Sequence, residues 1–198
     1  MIRPHGSDDL LPLLVEDPAE RARLAAEAEG LPSVVVCSAA AANAVMLGSG
    51  YFTPLPGFMG KADALSVCDR MRTTSGLFWP VPILNVIEDP TPLAGEKLIA
   101  IRDPNVRGNP VLAVQEVVSI DHLTDDDMAV MKRAIFRTDD PAHPGVLAFS
   151  SVGRWAVAGP IRVLGHSYFA TDFPGTFRTA RRIRDEIDRM GWKTVVAF

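Results

Sequence analysis

The clearest hydrophobic period in this chain lies near its end. Phe177, Ala180, Ile183, Ile187 and Met190 recur at steps of 3, 3, 4 and 3 residues, one face of an α-helix. Arg181, Arg182, Arg184, Asp185, Asp188 and Arg189 fill the opposite face, and Gly191 suits the left-handed position that ends a helix. Thr194-Val195-Val196-Ala197-Phe198 follows without alternation, the pattern of a strand covered on both faces in a parallel sheet. Upstream the apolar runs are short and β-branched: Ser33 to Cys37, Val81 to Ile87, Leu98 to Arg102, Val111 to Ile120 and Trp155 to Leu164. The polar stretch from Arg102 to Pro110 reads as the hairpin loop between two of them. Helices are marked by their ends. Asp17 caps one that starts at Pro18 and stops at Gly30. Ser38 caps an alanine-rich one that stops near Gly48 or Gly50, and a third runs from Lys61 to about Arg72. Thr124 caps a fourth, whose first turn of Asp125, Asp126 and Asp127 suits the helix dipole. Strands and helices interleave without regular alternation, so the expected class is α+β. Residues 1–170 form a β-rich domain and 171–198 a linker, helix and strand of different character. That strand has no sheet of its own, and an α/β domain whose ligand loop would follow Phe198 is expected to continue it.

Composition narrows the classes. The chain has 198 residues, 47% hydrophobic, with a net charge of -4. A chain of this size buries about 70% of its unfolded surface, enough for a real core. No run of about 18 apolar residues suits a membrane span. The mild acidity argues against general nucleic-acid binding, which needs clustered Lys and Arg. Cys37 and Cys68 lack any metal or redox spacing and read as free thiols in a reducing compartment. The opening Met1-Ile2-Arg3-Pro4-His5-Gly6-Ser7 lacks the apolar run of a signal peptide, so a cytoplasmic location is expected.

Candidate chemistry is sparse. His5, His122, His143 and His166 share no helical metal spacing and read as surface or turn residues. Gly165-His166-Ser167 lacks the second glycine of a nucleophile elbow and reads as a turn after a strand. Gly48-Ser49-Gly50 is too short for a phosphate loop. Leu55-Pro56-Gly57-Phe58-Met59 is a turn with apolar anchors. The cations Arg178, Arg181, Arg182, Arg184, Arg189 and Lys193 outnumber the acids around them, which suits a solvated face with internal pairs or, alternatively, an inter-domain or anion-facing surface.

Four ordered segments resemble a known family. Tyr51-Phe52-Thr53-Pro54-Leu55-Pro56-Gly57-Phe58-Met59 is similar to the S-P-L-x-G-F-M segment of ATP sulfurylase (sulfate adenylyltransferase), with Thr53 where Ser is usual. Gly76-Leu77-Phe78-Trp79-Pro80-Val81-Pro82 resembles its G-L-x-W-P-x-P, and Arg102-Asp103 with Gly108-Asn109-Pro110 its R-D-x-x-G-N-P hairpin. Gly191-Trp192-Lys193-Thr194-Val195-Val196-Ala197-Phe198 resembles its G-W-x-x-V-V-A-F. The resemblance covers the whole chain and is nearest to the single-polypeptide enzymes of sulfur-metabolising prokaryotes. It implies a PUA-like N-terminal domain over 1–170 and, over 171–198, the start of an α/β nucleotidyltransferase domain. The family's catalytic motif, Q-x-R-N-x-x-H-x-x-H, follows V-V-A-F, and no position here corresponds to it. The resemblance therefore implies no catalytic, cofactor-binding or metal residue in this chain. For the intact enzyme it implies ATP with magnesium, sulfate as the second substrate and a role in sulfate assimilation or dissimilatory sulfur metabolism. No cofactor is expected on this chain alone. Its own catalytic domain is the expected partner, in a homo-oligomer, with no membrane and no nucleic acid. A free-standing PUA-like RNA-binding or oligomerisation module is the alternative.

Overall fold

The computed structural model describes residues 3–196. A branched, mixed seven-stranded sheet forms the frame, in the order β1-β4-β5-β7-β2 with β3 and β6 joined to β7. The strands are β1 (Ser33–Val35), β2 (Gly57–Phe58), β3 (Val86–Ile87), β4 (Leu98–Arg102), β5 (Val111–Glu116), β6 (Ser119–His122) and β7 (Trp155–Val163). The helices are α1 (Pro18–Ala28), α2 (Ser38–Gly48), α3 (Lys61–Arg70), α4 (Asp125–Phe136), α5 (Pro144–Ser150), α6 (Phe169–Asp172) and α7 (Ala180–Met190). β1 lies parallel to β4; the other pairings are antiparallel. This is the expected α+β class.

β7 holds the sheet together. Its first half, Trp155 to Ala158, lies between β3 and β6; its second half pairs with β2 and β5. The change of partners falls at Gly159-Pro160. Gly159 has φ +142, and a Cβ there would overlap the Glu116 carbonyl oxygen. A Cβ on Gly57 opposite would overlap the Gly159 carbonyl. Pro160, next in line, has no N–H to leave unpaired at the bend. The expected single strand from Val111 to Ile120 is two strands for the same reason. β5 runs beside the second half of β7 and β6 beside the first, so the chain must turn at Val117-Val118.

The core packs Ile99, Ile101, Leu123, Met128, Met131 and Val157 at near-zero exposure. Two amides are buried with them. Asn85 Nδ2 donates to Gln115 Oε1 (3.0 Å), Gln115 Nε2 donates to the Val157 carbonyl (3.0 Å), and the Val157 N–H donates to the Asn85 carbonyl (2.8 Å). This triangle fastens the segment before β3 to β5 and β7 with polar groups that have no access to water.

Several element ends follow the sequence. Asp17 accepts the Glu20 N–H at the start of α1. Thr124 and Asp127 form a reciprocal capping box on α4, and Asp127 also meets Lys61 Nζ at 2.6 Å, tying α3 to α4. Gly191 closes α7 at φ +66. Others differ. α1 ends at Ala28 in right-handed geometry before Gly30 is reached. The cap of α2 is Cys37, whose Sγ accepts the Ala40 N–H (3.4 Å); Ser38 is already helical, and its hydroxyl donates to Asn105 Oδ1 (2.7 Å). That use of Cys37 also shortens β1 to Val35. α3 stops at Arg70 because Met71 turns left-handed at φ 52. Of Val81 to Ile87 only Val86 and Ile87 form a strand; Pro82 lacks a donor, and Ile83 and Asn85 bond through their carbonyls to the Met59 and Val157 N–H groups outside any regular ladder. β7 ends at Val163, one residue early. α5 and α6 were not expected; His143 caps α5 through Nδ1, which accepts the Gly145 and Val146 N–H groups (3.1 and 3.4 Å). Thr194 to Val196 are not in a strand, and the rest of that expected strand, Ala197 and Phe198, lies outside the described residues.

Gly159→Ala is expected to lower stability by at least about 2 kcal/mol, combining a disfavoured φ with backbone overlap. Gly165→Ala, whose Cβ would meet nothing within 4 Å, is the control and should change stability by less than about 0.5 kcal/mol. Thermal denaturation of the two variants beside the parent measures the difference.

Candidate functional site

The described residues enclose an apolar groove of about 1030 Å³. One wall is the chain from Phe78 to Leu84. Pro80 and Pro82 lie within it and lack donors, and the run from Trp79 to Leu84 stays outside the sheet, bending at Pro80 and Val81. Trp79 is its anchor: buried, with its ring edge-on to Phe52 at 5.8 Å. Met59 N–H donates to the Ile83 carbonyl (2.8 Å) and Trp79 N–H to the Met71 carbonyl (2.9 Å). His5 closes one end, its Nε2 2.7 Å from the Phe78 carbonyl oxygen. The facing wall is the first turn of α2 and the α4–α5 corner, where Phe136, Ala148 and Phe149 line the space. Gly145 sits so near Phe136 that a Cβ would overlap the ring.

A second cavity of about 920 Å³ adjoins it and shares His5, Tyr51 and Thr53. Its walls are the segment around Leu10 on one side and Ile183, Ile187, Trp192 and Val195 on the other. α7 is hung there from the β-rich body. Ala180 N–H donates to the Ser49 carbonyl (2.9 Å), and the Tyr51 hydroxyl donates to the Arg178 carbonyl (2.9 Å). Burial raises the Tyr51 phenol above its usual pKa against the opposing Arg178 charge, so the donor stays protonated. Thr53 accepts the Leu11 N–H (3.0 Å) and donates to the Gly50 carbonyl (2.8 Å). Both bonds need only a hydroxyl, which explains why Thr stands where Ser is usual.

The periodic face of α7 turns inward at Ala180, Ile183 and Ile187, while Met190 and Trp192 remain exposed. Part of the opposite face is paired internally. Glu186 accepts from Arg178 (2.9 Å) and Arg182 (3.3 Å); burial pushes its carboxyl up, but these bonds and charges outweigh it and hold the pKa below the usual range.

The four histidines do not converge. His5 is at the groove rim, His122 packs on Trp155 (4.8 Å), His143 caps α5, and His166 lies against Phe177 (4.9 Å) after β7. Asp127 is engaged by Lys61 and Asp125 by Arg154. Among the described residues no three of His, Cys, Asp and Glu cluster as metal ligands. The described residues lining the large groove include no Asp, Glu, Lys or Arg. A magnesium-bound nucleotide or a sulfate ion entering it would lose water without gaining a charged partner, so these residues do not fit either. What the groove can take is apolar side chains. Sequence reading passed over it, although Phe78-Trp79-Pro80-Val81-Pro82 carries the signal: large apolar residues locked by prolines out of any strand. No helix among the described residues is long and apolar enough to cross a membrane, and both cysteines are free.

Comparison with known proteins adds what geometry does not. Residues 2–166 match the PUA-like domain family. Over 198 residues the chain is 56% identical to the sulfate adenylyltransferase of Allochromatium vinosum, covering all of this chain and 50% of that protein. It is 54% identical to that of Alcanivorax borkumensis, covering 49% of it, and 50% identical to that of the Riftia pachyptila sulfur-oxidizing endosymbiont, covering 45%. The chain thus spans about half the length of the curated relatives it matches. Among solved structures, a hexameric APS kinase from Thiobacillus denitrificans superposes with a TM-score of 0.68 at 26% identity, over 97% of this chain and 32% of that one.

His166 yields a pH prediction. Its Nε2 is buried and has no hydrogen-bond partner among the described residues. Burial, with a smaller push from the Arg21 charge, lowers its pKa below the ordinary 6.5. The unfolded chain therefore takes up this proton first, so the contribution is complete above about pH 6.5 and is lost as pH falls below it. Melting temperatures from pH 7.5 to 5 should fall for the parent, and less steeply for His166→Phe.

Proposed function

The chain belongs to the PUA-like domain family, and we propose that it serves as the PUA-like part of a sulfate adenylyltransferase. The observation that carries this reading is the match along all 198 residues, at 56% identity, to half of the A. vinosum enzyme. In that reaction a sulfate oxygen attacks the α-phosphorus of ATP; a P–O bond forms, the bond to the leaving group breaks, and adenosine 5′-phosphosulfate and diphosphate result. Charge develops on phosphate oxygens during such a transfer and must be met by cations or fixed donors. The groove described above has no such cation, so this reading places the transfer chemistry in the half of the enzyme that this chain does not match.

On this reading ATP with magnesium and sulfate are bound by the half of the enzyme that this chain does not match. Residues 1–170 are the PUA-like domain and 171–198 the passage into the neighbouring domain; the family match over 2–166 supports that division. The intact protein is a homo-oligomer, as the structural relative is a hexamer. Its place is the cytoplasm, in keeping with the free Cys37 and Cys68, and its setting is sulfur metabolism.

The test is to join this chain to the unmatched half of the A. vinosum enzyme and follow diphosphate release from ATP and sulfate, and ATP formation in reverse. The joined protein should turn over, and the 198-residue chain alone should show no rate above background. Turnover by the chain alone would overturn the assignment.

A further inference from the structure

We infer that the apolar groove walled by Phe78, Val81, Ala148 and Phe149 is the seat of an apolar segment from the half of sulfate adenylyltransferase that this chain does not match. The inference rests on the function proposed above and adds where the two halves meet. The lining chemistry selects the occupant's class. With no Asp, Glu, Lys or Arg among the described lining residues, the groove offers no permanent charge to pair with phosphate, sulfate or a nucleic-acid backbone. Phe78 and Val81 are 46% and 43% exposed, large apolar surface presented to water on a rigid rim.

The rim also selects how the occupant binds. Pro80 and Pro82 have no N–H, so this edge cannot accept an added strand through a regular ladder. Recognition has to come from side chains entering between the rim and the α4–α5 corner, the manner of a helix face or an aromatic anchor.

Position selects where the occupant comes from. The chain spans about half the length of the relatives it matches, and on the proposed function their other half adjoins it. Trp192 and Val195 line the second cavity, which shares His5, Tyr51 and Thr53 with the groove. Unlike the groove, the second cavity also carries Arg184, Asp188 and Lys193, so the uncharged surface is the groove itself, with Trp192 and Val195 across the shared residues from it. On the function proposed above, residues 192–196 lead toward that other half, and Trp192 and Val195 place them near the residues shared with the groove.

The test uses amide hydrogen exchange on three proteins: this chain, the fusion to the unmatched half of the A. vinosum enzyme, and that fusion carrying Phe78→Glu and Val81→Glu. Both substituted side chains are exposed, so the same pair of changes in this chain alone should leave its melting temperature unchanged. The expected result is exchange at least tenfold slower in 76–84 and 145–152 in the fusion than in the chain alone, with the protection lost in the double variant. An active fusion whose groove exchanges as in the chain alone would overturn the inference and leave the proposed function standing. Protection in the chain alone that grows with its concentration would also overturn it, because a second copy would then be the occupant. An inactive fusion with a protected groove supports the seat and counts against the proposed function.

Discussion

The hydrogen bonding of β7 is the constraint on which the rest of the structure depends. One strand of nine residues supplies partners for β2, β3, β5 and β6, and it does so by bending where a side chain has no room. Before the bend, β7 completes a small sheet with β3 and β6; after it, β7 continues the larger sheet that reaches β1. The backbone groups of five strands are satisfied through this single segment, which otherwise would leave several unpaired edges in the core. The Asn85–Gln115–Val157 triangle reinforces the same strand from within.

The bend also explains where the groove lies. The antiparallel β3 leaves the first half of β7, so the chain leading into β3 must pass over the sheet's end, and that chain is the proline-bracketed run through Trp79. β6, the other partner, delivers the chain to Thr124 and hence to α4, whose far end with α5 becomes the opposite wall. The hollow between them is a by-product of the strand pairing, with walls attached to elements that cannot move independently. Its lining carries no Asp, Glu, Lys or Arg among the described residues.

Much of the frame was legible because local chemistry decides it. Pro18 after Asp17, Thr124 before three acids, and Gly191 after an amphipathic run are signals that need no tertiary context, and each is where the chain starts or stops a helix. β4 was legible to the residue for the same reason, an apolar run ended by a hairpin. What was not legible depends on distant partners. Nothing local says that Val111 to His122 must break at Val117, because the reason is the bend in a strand some forty residues later. Nothing local makes Cys37 a cap; Ser38 is the better candidate until Asn105 takes its hydroxyl. His143 as a cap requires knowing that a helix too short to show a period follows it. The groove escaped because its residues are scattered from His5 to Val152 and share apolarity, not a motif. The family was legible from four short segments, two of which, around Thr53 and Trp79, prove to line the groove.

The proline-bracketed rim has a thermodynamic consequence. A flexible loop would have to freeze when something settles on it, and the lost freedom would offset much of the gain from burying Phe78 and Val81. Pro80 and Pro82 have already surrendered that freedom in the unfolded chain, and Trp79 holds what remains. Whatever covers this rim meets a surface already ordered, so the freezing of the rim subtracts little from the gain of hiding its apolar area.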